Sequence, residues 1–130
     1  MTYKICKRCK EKKPITRYHS AGWKNGKQYR RNICCDCYAI VKKKYRDDKK
    51  DWYFQMKKNM ACDKCGYSKL THPKNFCFKA LEFHHHNKDK EFTVSGAVYK
   101  GFSREKIVGE IKKCTVLCAR CHVEEHNKLN

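Results

Sequence analysis

Apolar residues in the middle of the chain recur at steps of three, four and seven residues between Tyr38 and Met60. This spacing places them on one face of an α-helix, and residues 38–60 contain no glycine or proline to interrupt it. The pattern therefore predicts one long connecting helix over 38–60, with basic residues on its other faces. We expect the aromatic and methionine stripe to pack against residues 61–130 rather than to form a base-stacking platform, and it is also the best candidate for a homodimer contact.

Shorter elements are predicted in the C-terminal half. Leu81-Glu-Phe-His-His85 alternates apolar and polar residues, as a half-buried strand does. Ser103 is a suitable N-cap for a helix over 104–113. Residues 115–117 form a short apolar segment that indicates a second strand, and residues 123–129 are predicted to form a terminal helix.

The cysteine spacing indicates two zinc sites. The eleven cysteines include four CxxC pairs, and neither an odd cysteine count nor an N-terminus without a secretory signal favours a disulfide framework. Two CxxC turns supply the four thiolates of a tetrahedral zinc site, and sequential pairing closes the shorter loops. The predicted ligands are Cys6, Cys9, Cys34 and Cys37 for the first zinc, and Cys62, Cys65, Cys118 and Cys121 for the second. Buried thiols or redox pairs are the alternative, and Cys35, Cys77 and Cys114 are left over.

These features divide the chain into an N-terminal zinc module over 1–37, the connecting helix over 38–60, and a second zinc module over 61–130. With 35% charged and 40% hydrophobic residues, the chain cannot build a large apolar core, so metal is expected to help stabilise it. The predicted fold class is a small, zinc-stabilised α+β protein. No apolar run is long enough for a membrane helix, which favours a cytoplasmic protein without a membrane partner.

The distribution of charge indicates a nucleic-acid partner. The formal net charge is +19, and 19 of the 32 basic residues lie within residues 1–60. The Asn25-Gly26 dipeptide predicts a hairpin turn in the most basic and aromatic part of the first module. The candidate phosphate contacts in this segment are Lys24, Lys27, Arg30 and Arg31. Solvated surface lysines are the alternative interpretation.

Two groups of histidines exceed what the zinc sites need. His84 and His85 end the predicted strand, while His122 and His126 follow the last CxxC pair at a spacing of four residues. At that spacing, two helical side chains share a face and can chelate one cation. Because four thiolates already complete the second zinc site, the histidines predict a separate, open metal position.

Residues 61–129 resemble the HNH, or ββα-metal, endonuclease family. The resemblance rests on Cys62-x2-Cys65, on Leu81-Glu-Phe-His-His85, and on Val116-Leu-Cys-Ala-Arg-Cys-His-x3-His126. The N-terminal pair of CxxC units is similar to the zinc loop that precedes this module in some phage HNH proteins and small HNH restriction enzymes. The resemblance of residues 61–129 implies an HNH module built on the second zinc site.

The resemblance also implies an activity and its residues. It makes His85 the general base, and His84, His122 and His126 the ligands of a catalytic divalent cation (Mg²⁺, Mn²⁺, Ni²⁺ or Zn²⁺), in addition to the two structural Zn²⁺. The implied reaction is hydrolysis of double-stranded DNA to 5′-phosphate and 3′-hydroxyl ends, in a bacterial or phage-infected cell. Arg120 and Lys113 flank the site in sequence and are candidate phosphate contacts.

One position departs from the family pattern. The middle residue, usually an asparagine that helps to orient the base partly through its backbone carbonyl, corresponds to Lys113, and Asn87 is a second candidate for this role. Two alternatives remain open. The chain is a zinc-dependent DNA-binding protein without catalysis, or an HNH protein that has lost its activity. One site per chain implies nicking by a monomer, whereas a double-strand break requires a homodimer.

Overall fold

The computed structural model describes residues 2–86 and 90–128 as a small α+β protein with two compact units, residues 1–47 and 48–130. The boundary between the units falls within the long helix α1. The elements in chain order are β1 (Tyr3–Ile5), β2 (Lys12–Pro14), β3 (Ser20–Lys24), β4 (Lys27–Arg30), α1 (Cys35–Lys58), β5 (Leu81–His85), α2 (Val94–Tyr99), α3 (Arg104–Ile111), β6 (Cys114–Cys118) and α4 (Ala119–His126). Single 3-10 turns cover Ile15–Arg17 and Phe78–Ala80.

The first unit consists of two antiparallel strand pairs, β1–β2 and β3–β4, and the beginning of α1. The predicted Asn25-Gly26 turn joins β3 to β4, and both residues have positive φ angles (52° and 72°). A two-residue hairpin turn of this kind favours asparagine and glycine because they tolerate that conformation. Tyr18 fills the small core among three buried cysteines, and its hydroxyl donates a hydrogen bond to the Lys4 carbonyl (2.7 Å).

The second unit is organised around the antiparallel pair β5–β6, which α4 follows directly. The register pairs Leu81 with Cys118 at one end and His85 with Cys114 at the other. The Cys118 thiol accepts a hydrogen bond from the Cys121 N–H and so forms the N-cap of α4. The end of β6, the start of α4 and the second four-cysteine cluster are therefore the same short segment.

Two apolar clusters stabilise this unit. The first, from α1, α2 and α3, has as its buried members Tyr53, Val94, Ala97, Val98 and Ile107. The second lies at the other end of the β5–β6 pair and contains Cys62, Leu81, Leu117, Cys118 and Cys121. Among the residues that the structure describes, each apolar cluster has only five buried members, which is too few to stabilise the second unit by itself. This small core is consistent with metal-assisted folding.

The predicted elements are present with shifted ends. Helix α1 begins at Cys35, before the predicted Tyr38, and α4 begins at Ala119, before the predicted Val123, because Cys118 caps it. The predicted stripe on α1 is divided: Trp52 and Met56 pack against the first apolar cluster, whereas Val41 and Tyr45 are exposed. Helix α2 was not predicted. No helix in the described part of the chain has the length and apolar character needed to cross a lipid bilayer.

Candidate metal centres and active site

The sequential pairing of CxxC units is confirmed for the first module, where Cys6, Cys9, Cys34 and Cys37 form a cluster that could hold a metal ion. The Cys9 and Cys34 sulfurs are 4.0 Å apart. Although burial raises the pKa of Cys6, hydrogen bonds from the Cys9, Cys34 and Arg8 N–H groups lower it to about 5. The Lys13 ammonium lies 3.2 Å from the Cys34 sulfur. These donors stabilise thiolates, the form that zinc requires.

The second cluster consists of Cys62, Cys65, Cys118 and Cys121. The Cys65 and Cys118 sulfurs are 3.7 Å apart, and tetrahedral zinc with Zn–S bonds of about 2.3 Å places its sulfurs about 3.8 Å apart. Burial and the neighbouring thiols raise the pKa of Cys121 to about 12. Four thiolates repel one another unless a cation lies between them, so this donor set fits a structural zinc ion.

The three remaining cysteines lie outside both clusters. Cys77 is exposed, and Cys35 and Cys114 are half-buried. The Cys114 thiol lies 3.4 Å from the Glu110 carbonyl, as a packed side chain in the first apolar cluster. All eleven cysteines fall in the described part of the chain, and there they form no disulfide.

Three histidines converge on a third potential metal position. His84 of β5 and His122 and His126 of α4 offer nitrogen atoms that lie within 4.8 Å of one another. The Nε2 atoms of His122 and His126 are 3.0 Å apart. Two imidazoles bound to one cation at about 2.0–2.1 Å have their nitrogens about 2.9 Å apart at octahedral angles and about 3.3 Å apart at tetrahedral angles. Burial, followed by the charges of His122 and His126, lowers the pKa of His84. The set therefore fits a divalent cation held by neutral imidazoles on one side.

A carboxylate fixes the orientation of one ligand. The Glu82 Oε2 atom is hydrogen-bonded to Nδ1 of His122. A carboxylate accepts, so Nδ1 carries the proton and the Nε2 lone pair is left for a cation. Glu82 and His84 are two residues apart in β5 and share one face of the strand, which explains how one strand supplies both a ligand and the partner of another ligand.

His85 lies beside a different carboxylate. Its Nε2 atom is 2.9 Å from Oε1 of Glu110 in α3, and Glu110 is only 2% exposed. Burial raises the pKa of Glu110, but the Glu91 N–H, the Lys113 ammonium and His85 outweigh it, so the pKa lies below its usual value. The ionised carboxylate only accepts hydrogen bonds, so Nε2 of His85 is the donor and Nδ1 retains the lone pair of the neutral ring.

Lys113, the residue that the sequence resemblance aligned with the middle HNH position, belongs to the same network. Its ammonium lies 3.1 Å from Oε2 of Glu110, and its backbone carbonyl accepts a hydrogen bond from the His86 N–H (3.5 Å). Lys113 is therefore connected to His85 through Glu110, which the sequence interpretation did not include. Asn87, the second candidate for the orienting role, lies outside the described residues.

A cavity of about 470 Å³ joins the two histidine groups. Both His85 and His122 line it, although His84 and His85 are neighbours on a strand and point to opposite faces. His84 and His86 line a separate cavity of about 360 Å³ with Thr115 and Glu125. The candidate base and one candidate metal ligand therefore open onto the same space.

The predicted DNA contacts fall into two groups. Lys24 and Lys27 are exposed at the tip of the β3–β4 hairpin, beside Trp23, which is 70% exposed. Two others have structural contacts: Arg30 donates to the Tyr18 carbonyl (3.1 Å), and Arg31 stacks on Tyr38 (4.8 Å). Arg120 is exposed on α4 and lies 3.6 Å from Glu124.

Both carboxylates of the site were missed in the sequence interpretation, although each left a signal. Glu82 has the period-two spacing that places it beside His84. Glu110 lies three residues after Ile107 on the apolar face of α3, and an acidic residue at a core position is rarely buried without a partner.

Comparisons with protein-family models, with curated proteins and with solved structures find no match for this chain.

Proposed function

We propose that this chain is a metal-dependent HNH endonuclease that hydrolyses phosphodiester bonds in double-stranded DNA. The observation that carries the proposal is the convergence of His84, His122 and His126, of which His122 lines a cavity that His85 also lines. A module that only binds DNA does not require three convergent imidazoles in addition to complete four-cysteine clusters. The strongly basic chain supplies the charge that a DNA substrate requires.

The histidine triad is suited to several divalent cations. Neutral imidazoles favour Zn²⁺, Ni²⁺ and Mn²⁺, whereas Mg²⁺ prefers oxygen ligands. A cation bound by the triad would act as a Lewis acid on the scissile phosphate and stabilise the leaving oxygen. Glu82 contributes by fixing the His122 ring, because a carboxylate on the far nitrogen orients the ligand and increases its basicity.

His85 is proposed as the general base. Its Nε2–H donates to Glu110, so the Nδ1 lone pair accepts a proton from the attacking water. The water oxygen then bonds to phosphorus, the bond from phosphorus to the 3′ oxygen breaks, and its electron pair stays on that oxygen, which takes up a proton. The products carry 5′-phosphate and 3′-hydroxyl ends. Glu110 also stabilises the imidazolium that forms on His85.

Cleavage of supercoiled plasmid DNA tests the proposal directly. Zinc-loaded protein should convert plasmid to open circular or linear DNA when Mn²⁺ or Mg²⁺ is added, with little conversion in its absence. A His84→Ala, His126→Ala double variant, which leaves both cysteine clusters intact, should lose the cleavage that the added cation supports. No cleavage by the wild type with any of the four candidate cations would refute the proposal and favour the DNA-binding alternative.

The exposed hairpin of the first unit supports that alternative as much as a nuclease. Trp23, Lys24 and Lys27 form a basic and aromatic tip that does not belong to the histidine site. Lysines bind phosphates with little dependence on sequence, and an exposed indole can stack on a base. We propose that the tip contacts DNA whether or not the second unit cleaves it.

Removing the two hairpin lysines should weaken DNA binding and reduce its salt dependence. A Lys24→Gln, Lys27→Gln variant should reduce the magnitude of the slope of log K against log salt by about one to two. The reason is that binding releases fewer counterions from the DNA for each phosphate contact that is lost. Fluorescence anisotropy with a labelled duplex at several salt concentrations measures this slope. The matched control is Lys69→Gln, Lys74→Gln, which removes the same charge from exposed positions in the other unit. Equal losses in both variants would contradict a specific role for the hairpin.

A further inference from the structure

The cavity beside His85 and His122 is unusually rich in cations. Besides the two histidines, the residues that line it include Lys57, Lys79, Lys90, Thr93 and Ser95. All of these residues lie within the second compact unit. The lysines come from α1, from the 3-10 turn before β5 and from the segment before α2, so the fold collects them from separate parts of the chain.

Lys57 is the most informative of the three lysines. It is only 8% exposed, and its ammonium lies 5.4 Å from the centre of the Tyr53 ring. Burial lowers its pKa, because the apolar surroundings disfavour the charged form. A buried ammonium is costly unless an anion or hydrogen-bond acceptor compensates it, and a single cation–π contact compensates only part of that cost.

Among the described residues, the charge of Glu82 favours the ammonium form of Lys57, but burial has the larger effect and its pKa is still lowered. Within residues 2–86 and 90–128, no carboxylate forms an ion pair with Lys57, Lys79 or Lys90. The carboxylate on the cavity wall is Glu82, and its Oε2 is already bonded to His122. The described residues of the cavity wall therefore carry more positive than negative charge and include two hydroxyl residues, which is the composition of an oxyanion site.

We infer that this cavity is a subsite for a backbone phosphate of the bound DNA strand, adjacent to the phosphate that is cleaved. The inference rests on the proposed function and adds to it the residues that position the strand. Lys57, Lys79 and Lys90 would neutralise the phosphate, and the hydroxyls of Thr93 and Ser95 would donate hydrogen bonds to its oxygens. Because the same cavity reaches both His85 and His122, a strand held here extends directly into the histidine centre.

Binding measurements on an inactive protein test the subsite separately from catalysis. In a His85→Ala background, a Lys79→Gln, Lys90→Gln variant should bind a fluorescein-labelled DNA duplex about tenfold or more weakly, with a lower salt slope. Both lysines are exposed, so the fold should be retained. The matched control, Lys69→Gln, Lys74→Gln, removes two exposed charges elsewhere in the same unit and should change the affinity less than threefold.

Lys57 requires a variant that keeps its packing. Lys57→Met retains an unbranched apolar side chain over Tyr53 and removes the charge, so it should weaken binding while leaving the thermal unfolding midpoint unchanged or raised. Unchanged DNA affinity in the Lys79/Lys90 variant, or equal losses in that variant and its control, would overturn the subsite. If the wild type does not cleave DNA but the selective loss of binding remains, the subsite stands as part of a DNA-binding surface and the nuclease proposal fails.

Discussion

Replacing His85 with alanine is expected to reduce the rate of DNA cleavage by about 10²–10⁴-fold, the contribution typical of a positioned general base. The expectation follows from the hydrogen bond that Nε2–H of His85 donates to Glu110, which keeps the ring proton on Nε2 and leaves Nδ1 as the acceptor for the water's proton. Plasmid cleavage at saturating cation concentration measures the rate. The zinc content of the variant should match that of the wild type, since His85 is not a ligand in either cysteine cluster.

Two further variants make this result specific. His72→Ala changes a histidine that packs against Tyr67 with tilted rings and belongs to neither histidine group of the site, and it should cleave at the wild-type rate. Glu110→Gln keeps the size and an acceptor oxygen beside His85 but removes the charge that stabilises the imidazolium. It should lower the rate, although less than His85→Ala does. Cleavage by His85→Ala within a few-fold of the wild-type rate would exclude His85 as the base.

Local patterns were sufficient for most of the secondary structure. The period-two alternation of residues 81–85 matches β5, and Ser103 caps α3 by accepting the Lys106 N–H. Helix α2 escaped prediction because its six residues are too few to establish a helical period, and tertiary packing of Val94, Ala97 and Val98 forms it. The early start of α4 depends on a thiol cap, which the usual list of N-cap residues does not include.

The candidate site was predictable only where the chemistry is local. CxxC spacing identified both cysteine clusters, and the four-residue spacing placed His122 and His126 on one helix face. The contact of His85 with Glu110 joins residues 25 positions apart through the packing of β5 against α3. Nothing in the local sequence around either residue specifies that pairing. The positive charge of the cavity beside His85 and His122 also depends on tertiary structure, because Lys57, Lys79 and Lys90 come from three separate segments of the chain.

The second four-cysteine cluster is the part of the chain on which the histidine site depends most directly. Cys118 ends β6 and caps α4, and Cys121 immediately precedes His122. Zinc at this cluster would hold the start of α4 against the β5–β6 pair, and so would set the distance between His84 and the two α4 histidines. Loss of this zinc should therefore remove the triad as well as stability.

A Cys62→Ser variant should show both losses. Structural zinc contributes an apparent binding free energy of about 10–16 kcal/mol in small domains, which is as large as the whole stability of a typical domain. Losing one of four thiolates should lower the zinc content from about two to about one per chain and abolish cooperative unfolding of the second unit. Elemental analysis after gel filtration, together with thermal unfolding followed by circular dichroism, measures both quantities. Cys77→Ser is the matched control because Cys77 is exposed and lies outside both clusters. It should retain two zinc ions and the wild-type melting temperature, and the same result for Cys62→Ser would show that this cluster does not stabilise the fold through metal.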